Sequence, residues 1–107
     1  MTLMKPIVSV IVRTFNEERW IAHSLNAIFT QEFDNLEVII VDNNSTDFTL
    51  DIAKRFPIKK VVTIDKFLPG KALNDGIRQS SGEFIVCISA HCVPKDKYWL
   101  KNLHKHF

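Results

Sequence analysis

The sequence predicts an α/β fold, a Rossmann-like open parallel sheet with helices on both faces, and three observations carry that expectation. Strand-like and helix-like segments alternate along the whole chain. The strand-like runs, Ile7-Val8-Ser9-Val10-Ile11-Val12 foremost, are nearly continuous apolar stretches of the kind covered on both faces. Each is followed by polar turn formers and then by apolar residues at helical spacing, the order of a strand, a crossover and a parallel neighbour.

The first strand, Ile7 to Val12, is β-branched, too short for a helix, and marked at its start by Pro6. Asn16 is placed to cap a helix with Glu17 and Glu18 in its first turn, burying Trp20, Ile21, Leu25, Ile28 and Phe29 on one stripe. Val38-Ile39-Ile40-Val41 is the second strand, ending in the turn and cap formers Asp42 to Asp47. A helix follows that buries Phe48, Ile52, Ala53 and Phe56 and stops before Pro57. Val61 to Ile64 is the third strand, and Phe67 to Gly70 a loop. The next helix runs from about Lys71 to Ser80 on the apolar positions Ala72, Leu73 and Ile77, weakened by Gly76 and stopped near Gly82. Phe84 to Ile88 reads as a fourth buried strand, with Cys87 a buried thiol. The tail from Lys95 to Phe107 reads as a helix through Trp99, Leu100, Leu103 and Phe107.

Composition bounds the function. With 107 residues, 46% hydrophobic and 24% charged, the chain fits one soluble domain, residues 1–107, and not a disordered, collagen-like or disulfide-built one. The net charge of +2 is far below that of a nucleic-acid binder. Lys95, Lys97, Lys101 and Lys105 sit in the last seventeen residues and read as a solvated helix face. Two cysteines, Cys87 and Cys92, suit a reducing, cytoplasmic setting. No apolar run approaches the roughly twenty residues of a transmembrane segment, and Met1 to Pro6 has no signal-peptide core.

Ligands of open parallel sheets bind outside the carboxyl ends of the strands. There this chain places Thr14, Phe15, Asn16 and Glu17, then Asp42, Asn43 and Asn44, then Ser89, Ala90, His91 and Cys92. Those groups could converge on a polar ligand, but capping accounts for Asn16, Asp42, Ser45 and Asp47 about as well. Lys71 beside Gly70 could meet a phosphate or be merely an exposed lysine. His91 has no second ligand at metal-binding spacing, and His104 and His106 do not share a helix face. Neither a Gly-x-Gly-x-x-Gly nor a Walker loop is present.

Four segments in register resemble the family-2 glycosyltransferases: Val8 to Glu18, Val38 to Asp47, Ala72 to Ile77, and Gly82 to Ile85. The resemblance implies the N-terminal, nucleotide-sugar-binding part of a GT-A fold. It implies an inverting transferase of polysaccharide biosynthesis, moving a sugar from a nucleotide-diphosphate donor to the hydroxyl of an acceptor saccharide or lipid-linked saccharide. Carried over by position, Thr14, Phe15, Asn16, Glu17, Asp42, Asn43, Lys71, Ala90 and His91 form the nucleotide-sugar site. Asn43 replaces the second carboxylate of an acidic pair, which leaves the base preference open.

The main departure is at the fourth strand, where Ser89-Ala90-His91 stands in place of an Asp-X-Asp motif that binds Mg²⁺ or Mn²⁺. Either His91 coordinates the metal, an imidazole suiting Mn²⁺ better than Mg²⁺, or it steadies the departing diphosphate without one, or the site has lost catalysis. The catalytic base of the family lies beyond the matched region, so it is expected beyond Phe107 and the chain reads as a truncated unit. The alternative to an enzyme is a non-catalytic nucleotide-sugar-binding or partner-binding module. Apolar faces that a second half would cover imply self-association as a homo-oligomer, and a lipid-linked acceptor implies work at the inner face of the membrane.

Overall fold

The structure, a computed structural model, describes residues 6–65 and 69–106. Its elements are β1 (Val8–Thr14), α1 (Ile21–Phe29), β2 (Leu36–Asp42), α2 (Thr49–Ala53), β3 (Lys60–Thr63), α3 (Pro69–Gln79), β4 (Phe84–Ser89) and α4 (Trp99–His104). The strands form one parallel sheet in the order β3-β2-β1-β4. β1 and β2 are its centre, and their unbroken apolar runs are buried because helices cover both faces.

Alternate residues of those strands feed two cores. Val8, Val10, Val12, Val38 and Ile40 pack with Ile21, Leu25 and Ile28 of α1, Ala53 of α2 and Leu100 of α4. Ile11, Ile39 and Val41 face the other way with Ile64, where α3 lies across β1, β2 and β3. Gly76 lets α3 approach: a Cβ there would stand 2.8 Å from Cγ2 of Ile11 and 3.0 Å from Cγ2 of Val41. The glycine that weakens the helix thus tightens its contact with the sheet. Gly82 is not a left-handed helix stop. Its φ is not positive, and a Cβ there would meet the Ser9 backbone nitrogen at 2.6 Å, so it is required by the close pass of the α3–β4 connection over β1.

Several expectations are corrected. β4 is an edge strand, partly buried on one side and open on the other: Ile85 is 37% exposed and Cys87 is exposed, because α3 packs on the other three strands and leaves that face of β4 open. Trp20 and Phe48 lie outside the helices they were expected to anchor and are exposed. Asn16 does not cap α1, which begins at Ile21 with no side-chain cap and no acidic residue in its first turn. α3 begins at Pro69, within the stretch read as a loop, while Phe67 lies outside the described residues, as do the side chains of Ala72 and Leu73. α4 is shorter than expected, because the Asp96 carboxylate takes the N–H of Tyr98 and the helix starts only at Trp99; Phe107 lies outside the described residues. The lysines at 95, 97, 101 and 105 are all exposed, and no helix among the described residues is long and apolar enough to cross a membrane.

Candidate functional site

The sheet register aligns the carboxyl ends of the strands. Thr14 stands beside Asp42, Asp42 beside Thr63, and Arg13 beside Ser89. The chain leaves β1 to build β2 and β3 on one side and returns to place β4 on the other, so the order reverses at β1. The segments after β1 and β4 therefore diverge and leave a crevice between them, the usual ligand position of such sheets.

The far wall of the crevice is built by a clasp between the segments after β1 and β2. Asp42 is fully buried; one carboxylate oxygen accepts the hydroxyls of Thr14 and Ser45, and the other accepts the Ser45 N–H at 2.8 Å. Asn16 adopts a left-handed conformation, φ 50°, and its side-chain oxygen accepts the Thr46 N–H at 2.8 Å while its own N–H donates to the Ser45 hydroxyl. The N–H of Glu17 donates to the Thr49 hydroxyl at 2.7 Å, and that of Glu18 to Asp47 at 3.2 Å. Asp47 also accepts the hydroxyl and N–H of Thr49. Desolvation pushes the Asp47 carboxyl upward, but the Thr49 hydroxyl and the N–H groups of Thr49 and Glu18 outweigh it and hold its pKa below the ordinary value. Asp42, Ser45 and Asp47 thus spend their side chains on loop geometry.

The near wall is a turn. Ala90, fully buried, anchors it by donating its N–H to the Arg13 carbonyl, and the Cys92 N–H returns to the Ser89 carbonyl at 2.9 Å. The Ser24 hydroxyl of α1 holds the Cys92 carbonyl at 2.7 Å. Ser89 and His91 consequently flank Ala90 on the crevice side, with Ser89 Oγ 3.0 Å and Glu17 Oε1 3.3 Å from His91 Nδ1.

Between the walls lies a cavity of about 270 Å³ lined by Arg13, Thr14, Phe15, Glu17, Val41, Asn43, Ile64, Ser89 and His91. Five of the nine residues singled out in the sequence, Thr14, Phe15, Glu17, Asn43 and His91, meet there. Asn16 and Asp42 stand behind the wall as its framework, Ala90 beneath the turn, and Lys71 is exposed on α3 away from the lining. The sequence reading did not single out Arg13, Val41 or Ile64. Ile64 follows β3 and is brought in by its N–H bond to the Asp42 carbonyl, a long-range pairing with no local signal. Arg13 was legible, being a cation in an otherwise apolar and neutral strand two residues before its turn.

Comparison with known proteins settles the family. The model of "Glycosyl transferase family 2" matches residues 9–107. The chain belongs to glycosyl transferase family 2. Among curated relatives of this family-2 chain, a dolichyl N-acetyl-alpha-D-glucosaminyl phosphate 3-beta-D-2,3-diacetamido-2,3-dideoxy-beta-D-glucuronosyltransferase of Methanococcus voltae is 35% identical over 104 residues, covering 90% of this chain and 32% of that protein. The structure of Staphylococcus aureus TarS 1-349 in complex with UDP-GlcNAc superposes with a TM-score of 0.81 at 34% identity, over 95% of this chain and 30% of that one. The mannosyltransferase PcManGT of Pyrobaculum calidifontis in complex with GDP-Man and Mn²⁺ superposes with a TM-score of 0.82 at 32% identity, over 95% and 32%. The Rossmann-like parallel sheet is thus that of the GT-A glycosyltransferases, and this family-2 chain spans about a third of the length of these relatives.

Proposed function

We propose that the chain is the donor-binding half of an inverting glycosyltransferase that moves a sugar from a nucleoside diphosphate to an acceptor hydroxyl on a saccharide or lipid-linked saccharide. The observation that carries this is the cavity itself, whose lining brings apolar side chains together with Arg13, Asn43 and His91. Phe15, 52% exposed, offers a ring face on which a nucleobase can stack, and the Asn43 amide can both donate to and accept from a base edge. Arg13 adds a guanidinium and His91 an imidazole to the same lining, groups suited to a diphosphate. TarS with UDP-GlcNAc and PcManGT with GDP-Man, both more than 30% identical to this chain, support a nucleotide sugar without fixing the base.

The chemistry asked of this half is modest. The acceptor oxygen attacks the anomeric carbon from one face while the nucleoside diphosphate leaves from the other, which inverts the configuration. What the donor site must do is hold the base, fix the sugar's angle and steady the negative charge that grows on the diphosphate. The side chains present fit a divalent ion only with help from the ligand. Among the described residues no group of three His, Cys, Asp or Glu side chains is placed to hold a metal, but the His91 imidazole, completed by phosphate oxygens, suits Mn²⁺ better than Mg²⁺. Such an ion would neutralise charge on the leaving diphosphate, and the Mn²⁺ in PcManGT supports that assignment. Glu17, the one carboxylate of the lining, is engaged with His91. The proton of the acceptor hydroxyl is therefore assigned to a base in the other half of the catalytic unit. The exposed free thiols of Cys87 and Cys92 fit a reducing compartment and hence work on the cytoplasmic side.

Calorimetric titration with UDP, GDP and dTDP, with and without Mn²⁺, tests the reading. We expect one of the three to bind, more tightly with Mn²⁺, and Asn43→Ala to weaken it while leaving the thermal midpoint in place. Absence of binding by all three would refute the donor site.

A further inference from the structure

The His91 side chain is 59% exposed at the tip of a turn, so nothing in its packing fixes which way the imidazole faces or which nitrogen carries the proton. Its hydrogen bonds do. The nearest carboxylate is Glu17, with Oε1 3.3 Å from Nδ1, and the Glu17 side chain is only 18% exposed. Glu17 is itself pinned on both sides of its backbone: its N–H donates to the Thr49 hydroxyl at 2.7 Å, and its carbonyl accepts the N–H groups of Trp20 and Ile21 at 2.9 Å. Thr49 belongs to the clasp through Asp47. A chain of contacts thus runs from the segment after β2, through the segment after β1, to the turn after β4.

The geometry points to Glu17 as the positioning residue of His91, a carboxylate that selects the Nδ1–H tautomer and so leaves Nε2 with a free lone pair for a divalent ion bridging a bound diphosphate. An ionised carboxylate accepts and cannot donate, so a contact between Glu17 and Nδ1 requires the proton on Nδ1. Ser89 Oγ, 3.0 Å from Nδ1 and 3.5 Å from Nε2, lies alongside both ring nitrogens, and with the proton on Nδ1 its oxygen can accept there beside Glu17. Histidines that ligate metals commonly donate their other N–H to a carboxylate, which orients the ring and raises its basicity. Replacing the Asp-X-Asp carboxylates by Ser89-Ala90-His91 therefore works as a pair with Glu17, which keeps a negative charge beside the site while the ligand atom becomes a nitrogen. The use of the free lone pair rests on the donor-site reading; the tautomer does not.

Long-range ¹H–¹⁵N spectra of the ¹⁵N-labelled chain, recorded near pH 8 where imidazole is neutral, read the tautomer directly without metal or nucleotide. We expect the His91 ring to show Nδ1–H with an unprotonated Nε2, and Glu17→Gln to abolish that preference. Mn²⁺ affinity in the presence of UDP should fall about 10- to 100-fold in Glu17→Gln. A wild-type ring protonated on Nε2 overturns the inference whatever the variant does, and so does a Glu17→Gln chain with the wild-type tautomer and Mn²⁺ affinity. An Nδ1–H ring whose replacement in His91→Ala leaves Mn²⁺-dependent UDP binding intact upholds the orientation by Glu17 but overturns the assignment of His91 to the donor site.

Discussion

Glu37 sits at the amino-terminal end of the sheet, and its neutralisation should cost stability in a pH-dependent way. Its carboxylate accepts the Ser9 hydroxyl at 2.7 Å, the Ser81 N–H and hydroxyl at 2.8 Å each, and pairs with Lys59 at 3.1 Å. With the side chain 9% exposed, desolvation alone would raise its pKa, but the Ser81 N–H, the two hydroxyls and Lys59 together bring it below the ordinary 4.5. Glu37→Gln keeps the shape, loses the charge and turns an amide NH₂ toward either the Ser81 N–H or the Lys59 ammonium, which can only donate. Charge-assisted hydrogen bonds of this kind are worth about 1.5–3 kcal/mol; the Lys59 pair, its lysine 43% exposed, adds less than about 1 kcal/mol. A loss of about 2–3 kcal/mol at pH 7 follows, or roughly 10 °C in the thermal midpoint of a domain this size. Because the folded pKa is lowered, the unfolded chain binds more protons between the two values. The stabilisation is therefore complete above about pH 5 and disappears as the pH falls through the folded pKa. Urea denaturation of both chains from pH 7 down to pH 3 measures this. A variant as stable as the wild type at pH 7, or a gap that stays constant into acid, would refute the role given to the carboxylate.

Three further outcomes follow from the same structure. Gly76→Ala should destabilise the chain by about 1–3 kcal/mol in a denaturant titration, because the new methyl stands 2.8 Å from Ile11, even though alanine favours an isolated helix. Arg13→Gln should weaken UDP or GDP binding about tenfold by calorimetry with little change in thermal midpoint, since its guanidinium is the permanent cation of the lining. Phe15→Ala should lower nucleotide affinity by about 1–3 kcal/mol through lost base stacking, again without loss of stability, because the ring is 52% exposed.

What the sequence made legible divides along a physical line. The element order, the parallel sheet and the rim that carries the site follow from local patterns: Val38 to Val41 can only be a strand buried on both faces, and polar residues directly after such strands must gather at one edge. Pairwise geometry across the chain is not local, and there the reading parted from the structure. Ile85 and Cys87 belong to a run as apolar as β1, yet whether such a run is covered depends on where α3 lands, and Gly76 places it over β1 and β2. Asn16 and Asp42 have the composition of ligand-binding residues, and equally that of loop fasteners; only the partners at Ser45, Thr46 and Thr14, up to thirty residues away, assign their side chains to the clasp. The same long-range contacts give Glu17 its partner. A glutamate one residue after a turn asparagine and a histidine on a distant strand end carry no mark of each other in sequence, and they meet because β1 and β4 are neighbours in register. The rim of a parallel sheet is thus readable as an address for chemistry, while the division of labour among the residues at that address is set by strand order, which is why Glu17 and His91 can act as one unit although seventy-four residues separate them.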